Sequence, residues 1–243
     1  MLRYTLLAGL FCFILASCNP DKCFQSTGPV DEIQFSIDVT ETITIYDFID
    51  LRLVQSDEMK AVIRGGSGLI GNISVEQSAE TGEITIEDRN ECRWMRDLSE
   101  RFEVELHIPF FRKLNFKSHG NLYAHDWELP ELELHSLRSG RDLHISGQID
   151  NMHFVMEKGA PDLYLSGNAN SIFIYHFGSG FVYARDMMAE KVHVNHRSTG
   201  HFHLFPIEEL FAELYSSGNV YYYNQPDRID GPVWGSGRVI QAD

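Results

Sequence analysis

Four histidines, His193, His196, His201 and His203, lie within eleven residues of one another. Imidazoles on neighbouring strands suit zinc or copper. However, His193 precedes the glycine turn at Gly200 while His201 and His203 follow it. No thiolate or carboxylate completes the set, so no metal is expected. Asp142 and Asp162 stand twenty residues apart, the kind of paired carboxylates that a retaining glycosidase places about 5 Å from each other. A chain with 35 acidic residues makes such pairs by accident. No Lys or Arg is grouped with them and no GxSxG elbow is present for acyl chemistry. Gly66-Ser67-Gly68-Leu69-Ile70-Gly71 spells GxGxxG, with Glu87 and Asp88 near the distance of a ribose-binding acid. That fingerprint needs a helix directly after it to hold the pyrophosphate, whereas Asn72-Ile73-Ser74-Val75 alternates like a strand. The glycines read as tight turns. Neither catalysis nor a cofactor is expected.

A different set recurs with regularity: Tyr123, His144, Tyr164, Tyr183, His203 and Tyr221. Each follows an apolar anchor residue and so points outward on a strand. Their near-twenty spacing stacks them into one stripe. Such a stripe has two readings. It stabilises a sheet through cross-strand pairs, or it offers a flat binding surface of apolar rings with hydrogen-bonding tips.

The elements that carry the stripe follow from the same period. Leu114, Leu134, Phe154, Ile174, Val194, Leu214 and Trp234 are spaced by twenty, and Gly120, Gly140, Gly180 and Gly200 keep the same interval. Gly159, Gly218 and Gly237 fall one to three places off it. A turn glycine in each period of about twenty is the signature of a solenoid. Within each period apolar residues alternate, as in Leu132 and Leu134 or Leu163 and Leu165, which marks half-buried strand. The fold expected is all-β, a parallel β-helix whose coils run about 60–70 Å in contour and stack about 4.8 Å apart.

The amino-terminal end carries separate signals. Residues 1–17 combine Arg3 with an apolar run from Leu6 to Leu15, too short for a retained membrane span. The run ends in Leu15-Ala16-Ser17-Cys18, which resembles a bacterial lipobox; the alternative is an ordinary secretory signal with an incidental cysteine. The lipobox predicts a secreted lipoprotein with Cys18 acylated, residues 18–28 as the anchor segment, and a place in the cell envelope, at the outer membrane. The formal charge of −15 loses one positive charge when Arg3 is removed. That acidity excludes nucleic-acid binding. With Cys18 lipidated, Cys23 and Cys92 remain, either as a disulfide in an oxidising compartment or as two separate buried thiols. A disulfide would contribute about 4 kcal/mol by loop entropy. Residues 29–112 show strand-like runs without the clean period and read as irregular opening coils. Residues 113–243 are the regular repeats of the same 29–243 domain.

Short elements such as Gly71-Asn72-Ile73, Ser118-His119-Gly120-Asn121-Leu122 and Ser217-Gly218-Asn219-Val220 make the chain resemble the auto-transporter adhesin head GIN domain family. The segments around Cys23 and Cys92 are similar to its lipoprotein branch. The resemblance implies a right-handed β-helix on a cell-envelope lipoprotein and no established enzymatic residues. Turns at Gly140-Arg141-Asp142 and Gly159-Ala160-Pro161-Asp162 depart from the family pattern. The functional expectation is a non-enzymatic surface for binding a glycan or an envelope protein. The alternatives are a polysaccharide-acting enzyme and a structural envelope component.

Overall fold

The computed structural model describes residues 23, 25–92 and 101–243. The lipobox and Cys18 lie outside the described residues. The opening half holds β1 (Val30–Ser36), β2 (Thr42–Asp47), β3 (Ile49–Gln55), β4 (Lys60–Gly66), β5 (Ile73–Gln77), β6 (Ile84–Asp88) and β7 (Phe102–Ile108). The rest holds β8 (Lys113–Ser118), β9 (Leu122–Leu137), β10 (Leu143–Glu157), β11 (Leu163–Phe177), β12 (Val182–His196) and β13 (Phe202–Leu214). Three short strands close it: β14 (Val220–Tyr222), β15 (Arg228–Asp230) and β16 (Val239–Gln241). Together they form a parallel β-solenoid of about six turns with coils of about twenty residues.

Each of β9 to β13 is one strand bent over two sides of the coil. The bend falls at an irregularity in register near Asp126, Gly147 and Gly167, all of which have positive φ. Gly147 sits in the column Trp127–Gly147–Gly167–Met187. A Cβ on Gly167 would collide with the Gly147 carbonyl, and one on Gly147 with the backbone of Trp127. Glycine is therefore required here by close approach as well as by φ. On either side of the bend alternate residues enter the core. One interior column runs Leu122, Leu143, Leu163, Val182, Phe202 and Val220, and another Leu134, Phe154, Ile174, Val194 and Ala212.

The second column corrects the twenty-residue register at its end. Between their matched residues at 182/202 and 191/209, β13 uses two fewer residues than β12, so Val194 faces Ala212 and Leu214 faces His196. Leu214 stays buried in this shifted place. Trp234 leaves the core altogether: it is 60% exposed and stacks on Tyr215 at 4.4 Å.

The opening half lacks the period because its stacking order differs from its chain order. The coil formed by β2 and β3 lies directly on β8 and β9, with Ile43 on Leu114 and Leu51 on Leu122. Its other edge is covered by the later strands β6 and β7, again in parallel. Antiparallel β5 and β4 then pair with β6 and β7, and antiparallel β1 pairs with β4. Reversed strands thus end the parallel stack, as a solenoid's open end requires. After Gly66 and Gly68 come a single 3-10 turn (Ile70–Asn72) and strand β5, so the GxGxxG run opens no long helix. These glycines instead let residues 26–29 cross closely, with Ser67 N–H donating to Pro29 O and Gly68 N–H to Thr27 O. A Cys23–Cys92 disulfide, with Cα atoms 5.1 Å apart, fastens that crossing segment to the end of the hairpin after β6. Among the described residues no helix is long and apolar enough to cross a membrane.

Candidate functional site

Parallel pairing puts the six stripe residues in register on one side of the solenoid: Tyr123, His144, Tyr164, Tyr183, His203 and Tyr221. Successive ring centroids lie 5.3, 4.6, 4.8, 5.6 and 5.1 Å apart, with interplanar angles of 11°, 9°, 18°, 9° and 14°. The ring spacing is thus set by the strand spacing. Near-parallel rings at this distance cover one another's faces and turn their rims outward. At the amino-terminal end the Arg52 guanidinium lies 5.1 Å from the Tyr123 ring centre, a cation–π cap on the stack. Near the other end Tyr223 joins through a 2.8 Å hydrogen bond with His203 Nδ1, and Arg185 lies over the Tyr223 ring at 4.4 Å.

Burial within the stack holds His144 and His203 below the ordinary imidazole value. Burial also raises the Tyr164 phenol, helped by the charges of Asp142 and Asp162. Both shifts favour neutral rings, as a close stack requires. Beside the stripe runs a groove of about 480 Å³ along the corner of the coils. Tyr164, Tyr183, Ser146, Ser166, Arg185 and Asp186 are among its walls. The groups it presents are therefore hydroxyl, imidazole, guanidinium and carboxylate, arrayed along stacked rims.

The other sequence candidates disperse. His193 lies on a different side of the coil and contacts Glu213 at 3.3 Å. His196 is buried in the interior. His201 sits at a turn, where its Nδ1 accepts the Asn219 N–H at 3.0 Å. His203 is in the stripe. Among the described residues no three His, Cys, Asp or Glu side chains gather as a metal site would need. The Asp142 and Asp162 positions belong to the turns. Asp162 Oδ1 accepts the Phe181 N–H at 2.8 Å, as Asp50 accepts that of Asn121 at 2.6 Å and Asn219 that of Arg238 at 3.0 Å. Side chains at this place in the turn fasten one coil to the next.

Two features escaped the sequence reading. The first is a second outward ladder, His153, Phe173, His193 and Phe211, with ring spacings of 4.8, 5.0 and 4.8 Å and interplanar angles of 78°, 90° and 88°. Its first three members are spaced by twenty and the last by eighteen, and alternation of His with Phe concealed it as a single class. The second is a pair of interior histidines, His176 and His196, in register on adjoining coils and each 1% exposed. His196 stacks on Phe202 at 4.0 Å and its Nδ1 accepts the Ser198 N–H at 3.1 Å. Among the described residues its Nε2 and both nitrogens of His176 find no hydrogen-bond partner. Burial pushes both imidazoles down to about 4, with the neighbouring His196 adding to the effect on His176.

Comparison with known proteins agrees with this architecture. A family model described as "Putative auto-transporter adhesin, head GIN domain" matches residues 41–226. No curated protein matches the chain. Among solved structures it is similar to a putative adhesin from Bacteroides fragilis, with a TM-score of 0.76 at 16% identity over 88% of this chain and 97% of that one. A putative adhesin from Parabacteroides merdae gives a TM-score of 0.64 at 13% identity, covering 89% and 97% of the two chains. A protein from Parabacteroides distasonis described as a putative lipid binding protein gives 0.65 at 16% identity, covering 89% and 98%. Identities this low speak for the fold alone.

Proposed function

The chain belongs to the auto-transporter adhesin head GIN domain family, and from that membership we propose that it is a non-enzymatic envelope protein binding a partner along its side. Cys18 holds it to the membrane through lipid, with the outer membrane as its place, and the solenoid serves as a rigid arm. The partner is a glycan or an envelope protein, held by the groove beside the Tyr123-to-Tyr221 stripe. The observation that carries this reading is the unbroken ring stack bordering a groove with polar walls. Rims, not faces, line that groove, so recognition there works through hydrogen bonds to phenol, imidazole, Arg185 and Asp186. A rigid, preformed row of such groups has little ordering entropy to lose on binding. Among the described residues that line the groove Asp186 is the one carboxylate, so the acid pair of a glycosidase is not assembled by them.

The test is a double substitution, Tyr164→Ala with Tyr183→Ala, assayed for attachment to whole-cell envelope fractions and for thermal stability. Melting should fall on either reading, because both rings stack on neighbours. The binding role predicts lost attachment by a variant that still melts cooperatively, and a purely structural ladder predicts attachment intact. The anchor is tested separately: Cys18→Ala should move the protein from the detergent phase to the aqueous phase on partitioning.

A further inference from the structure

The His153–Phe173–His193–Phe211 ladder has a geometry the stripe lacks. Neighbouring rings stand at 78° to 90°, and in an edge-to-face pair one ring turns its rim to the other's face. A ring that gives its rim to both neighbours keeps its own two faces clear of the ladder. Strict alternation makes every second ring such a ring. Side chains stand out from a sheet, so a ring whose plane contains the solenoid axis turns its faces sideways, into the grooves that flank the ladder.

One of those grooves is well formed. About 400 Å³ lies between Phe173, His193 and Phe211 on one wall and Ser171, Lys191 and Glu209 on the other. One wall is aromatic and the other carries a hydroxyl, an ammonium and a carboxylate. The three wall rings are half-buried, and by the alternation ring faces of one kind recur every second coil, roughly 10 Å apart.

We propose that this groove binds an extended, uncharged chain of β-1,4-linked pyranose sugars lying along the solenoid axis. A pyranose in such a chain has faces made mainly of C–H groups and a rim of mostly equatorial hydroxyls. Its faces match the aromatic wall and its rim matches the polar wall. Successive sugars in the chain turn over by half a revolution, so equivalent faces return every second residue, as the ring faces do every second coil. The opposite signs of Lys191 and Glu209, on a chain whose formal charge is −15, favour a neutral glycan over an anionic one. The site is independent of the stripe, which lies on another side of the coil.

Calorimetric titration of the intact protein with cellohexaose, chitohexaose and mannohexaose tests the proposal. At least one should bind. Replacing the three wall rings together (Phe173→Leu, His193→Leu, Phe211→Leu) keeps apolar bulk and removes the faces, and should weaken binding about tenfold or more. Lys191→Ala, an exposed change, should weaken it severalfold without altering the melting curve, which keeps the test open if the triple variant folds poorly. Tyr164→Ala with Tyr183→Ala should leave hexasaccharide binding unchanged. The proposal is overturned if none of the three sugars binds, if a folded triple variant binds as the parent does, or if the stripe variant is the one that loses the sugar.

Discussion

The two aromatic ladders rest on the same strands, at the same spacing, yet they spend their rings differently. Along Tyr123 to Tyr221 the rings lie within 18° of parallel, and each face is covered by the next ring. Along His153 to Phe211 the rings alternate near perpendicular. The first ladder gains cohesion and offers rims, while the second gives up part of the stacking and offers faces. The tips differ as well. Tyrosine and neutral imidazole bring hydroxyl and N–H groups that reach out while their bodies stack. Phe173 and Phe211 have no such tip and meet the histidines edge to face, one of the arrangements the ring quadrupole favours. A row of aromatic residues at the strand spacing is therefore not one kind of surface. Ring orientation decides whether it presents hydrogen-bonding tips or ring faces.

The largest test strikes what the ladders share. Ile174 is fully buried between Phe173 and Tyr175, in the interior column flanked by Phe154 and Val194. Ile174→Asp places a charge among apolar neighbours and should cost several kcal/mol. Both ladders should fail together because coils depend on their neighbours, as a single lowered melting transition would show.

Acid should act next most strongly. His176 and His196 are held near 4 in the folded chain against about 6.5 when unfolded. Between those values the unfolded chain binds protons that the folded chain excludes, so stability is complete above about pH 6.5 and falls as the pH drops toward 4. The loss should be roughly 3 kcal/mol for each histidine. Replacing both with leucine should flatten melting temperature against pH in this window; a profile as steep as the parent's would move the acid sensitivity elsewhere.

Smaller effects separate the ladders. Tyr164→Ala removes two face-to-face neighbours and should cost about 1–2 kcal/mol in denaturant unfolding. Phe173→Ala removes two edge-to-face contacts and should cost a similar amount or less. Smallest is Tyr183→Phe, which keeps the ring and deletes one exposed hydroxyl. Its unfolding midpoint should barely move while attachment through the stripe weakens. Equal attachment would remove the phenol rim from the recognition chemistry.

Much of this was legible in the chain. Turn glycines and alternating apolar residues specify coils, and parity alone placed Tyr164 and Tyr183 outward. Other features needed coordinates. Two residues fewer in β13 move Leu214 opposite His196 and release Trp234 to solvent, a slip no fixed period can reveal. The opening strands hide their coils because β2 and β3 are stacked between partners that come later in the chain. His176 and His196 shared the parity of buried Ile174 and Val194, so their interior place was readable, but histidine's usual exposure argued the other way. Ring orientation, on which the two ladders differ, leaves no mark in residue spacing.

The nesting of β2 and β3 between later strands also fixes an order of events for a chain that emerges amino end first. Both long edges of that first coil wait for partners, β6 and β7 on one side and β8 and β9 on the other. Until about residue 124 is free, residues 42–55 have no complete pairing to adopt. Each later coil, from β10 onward, meets a finished edge as soon as it appears. During synthesis the start of the solenoid is thus expected to wait for its later partners, with extension then proceeding one coil at a time on that template.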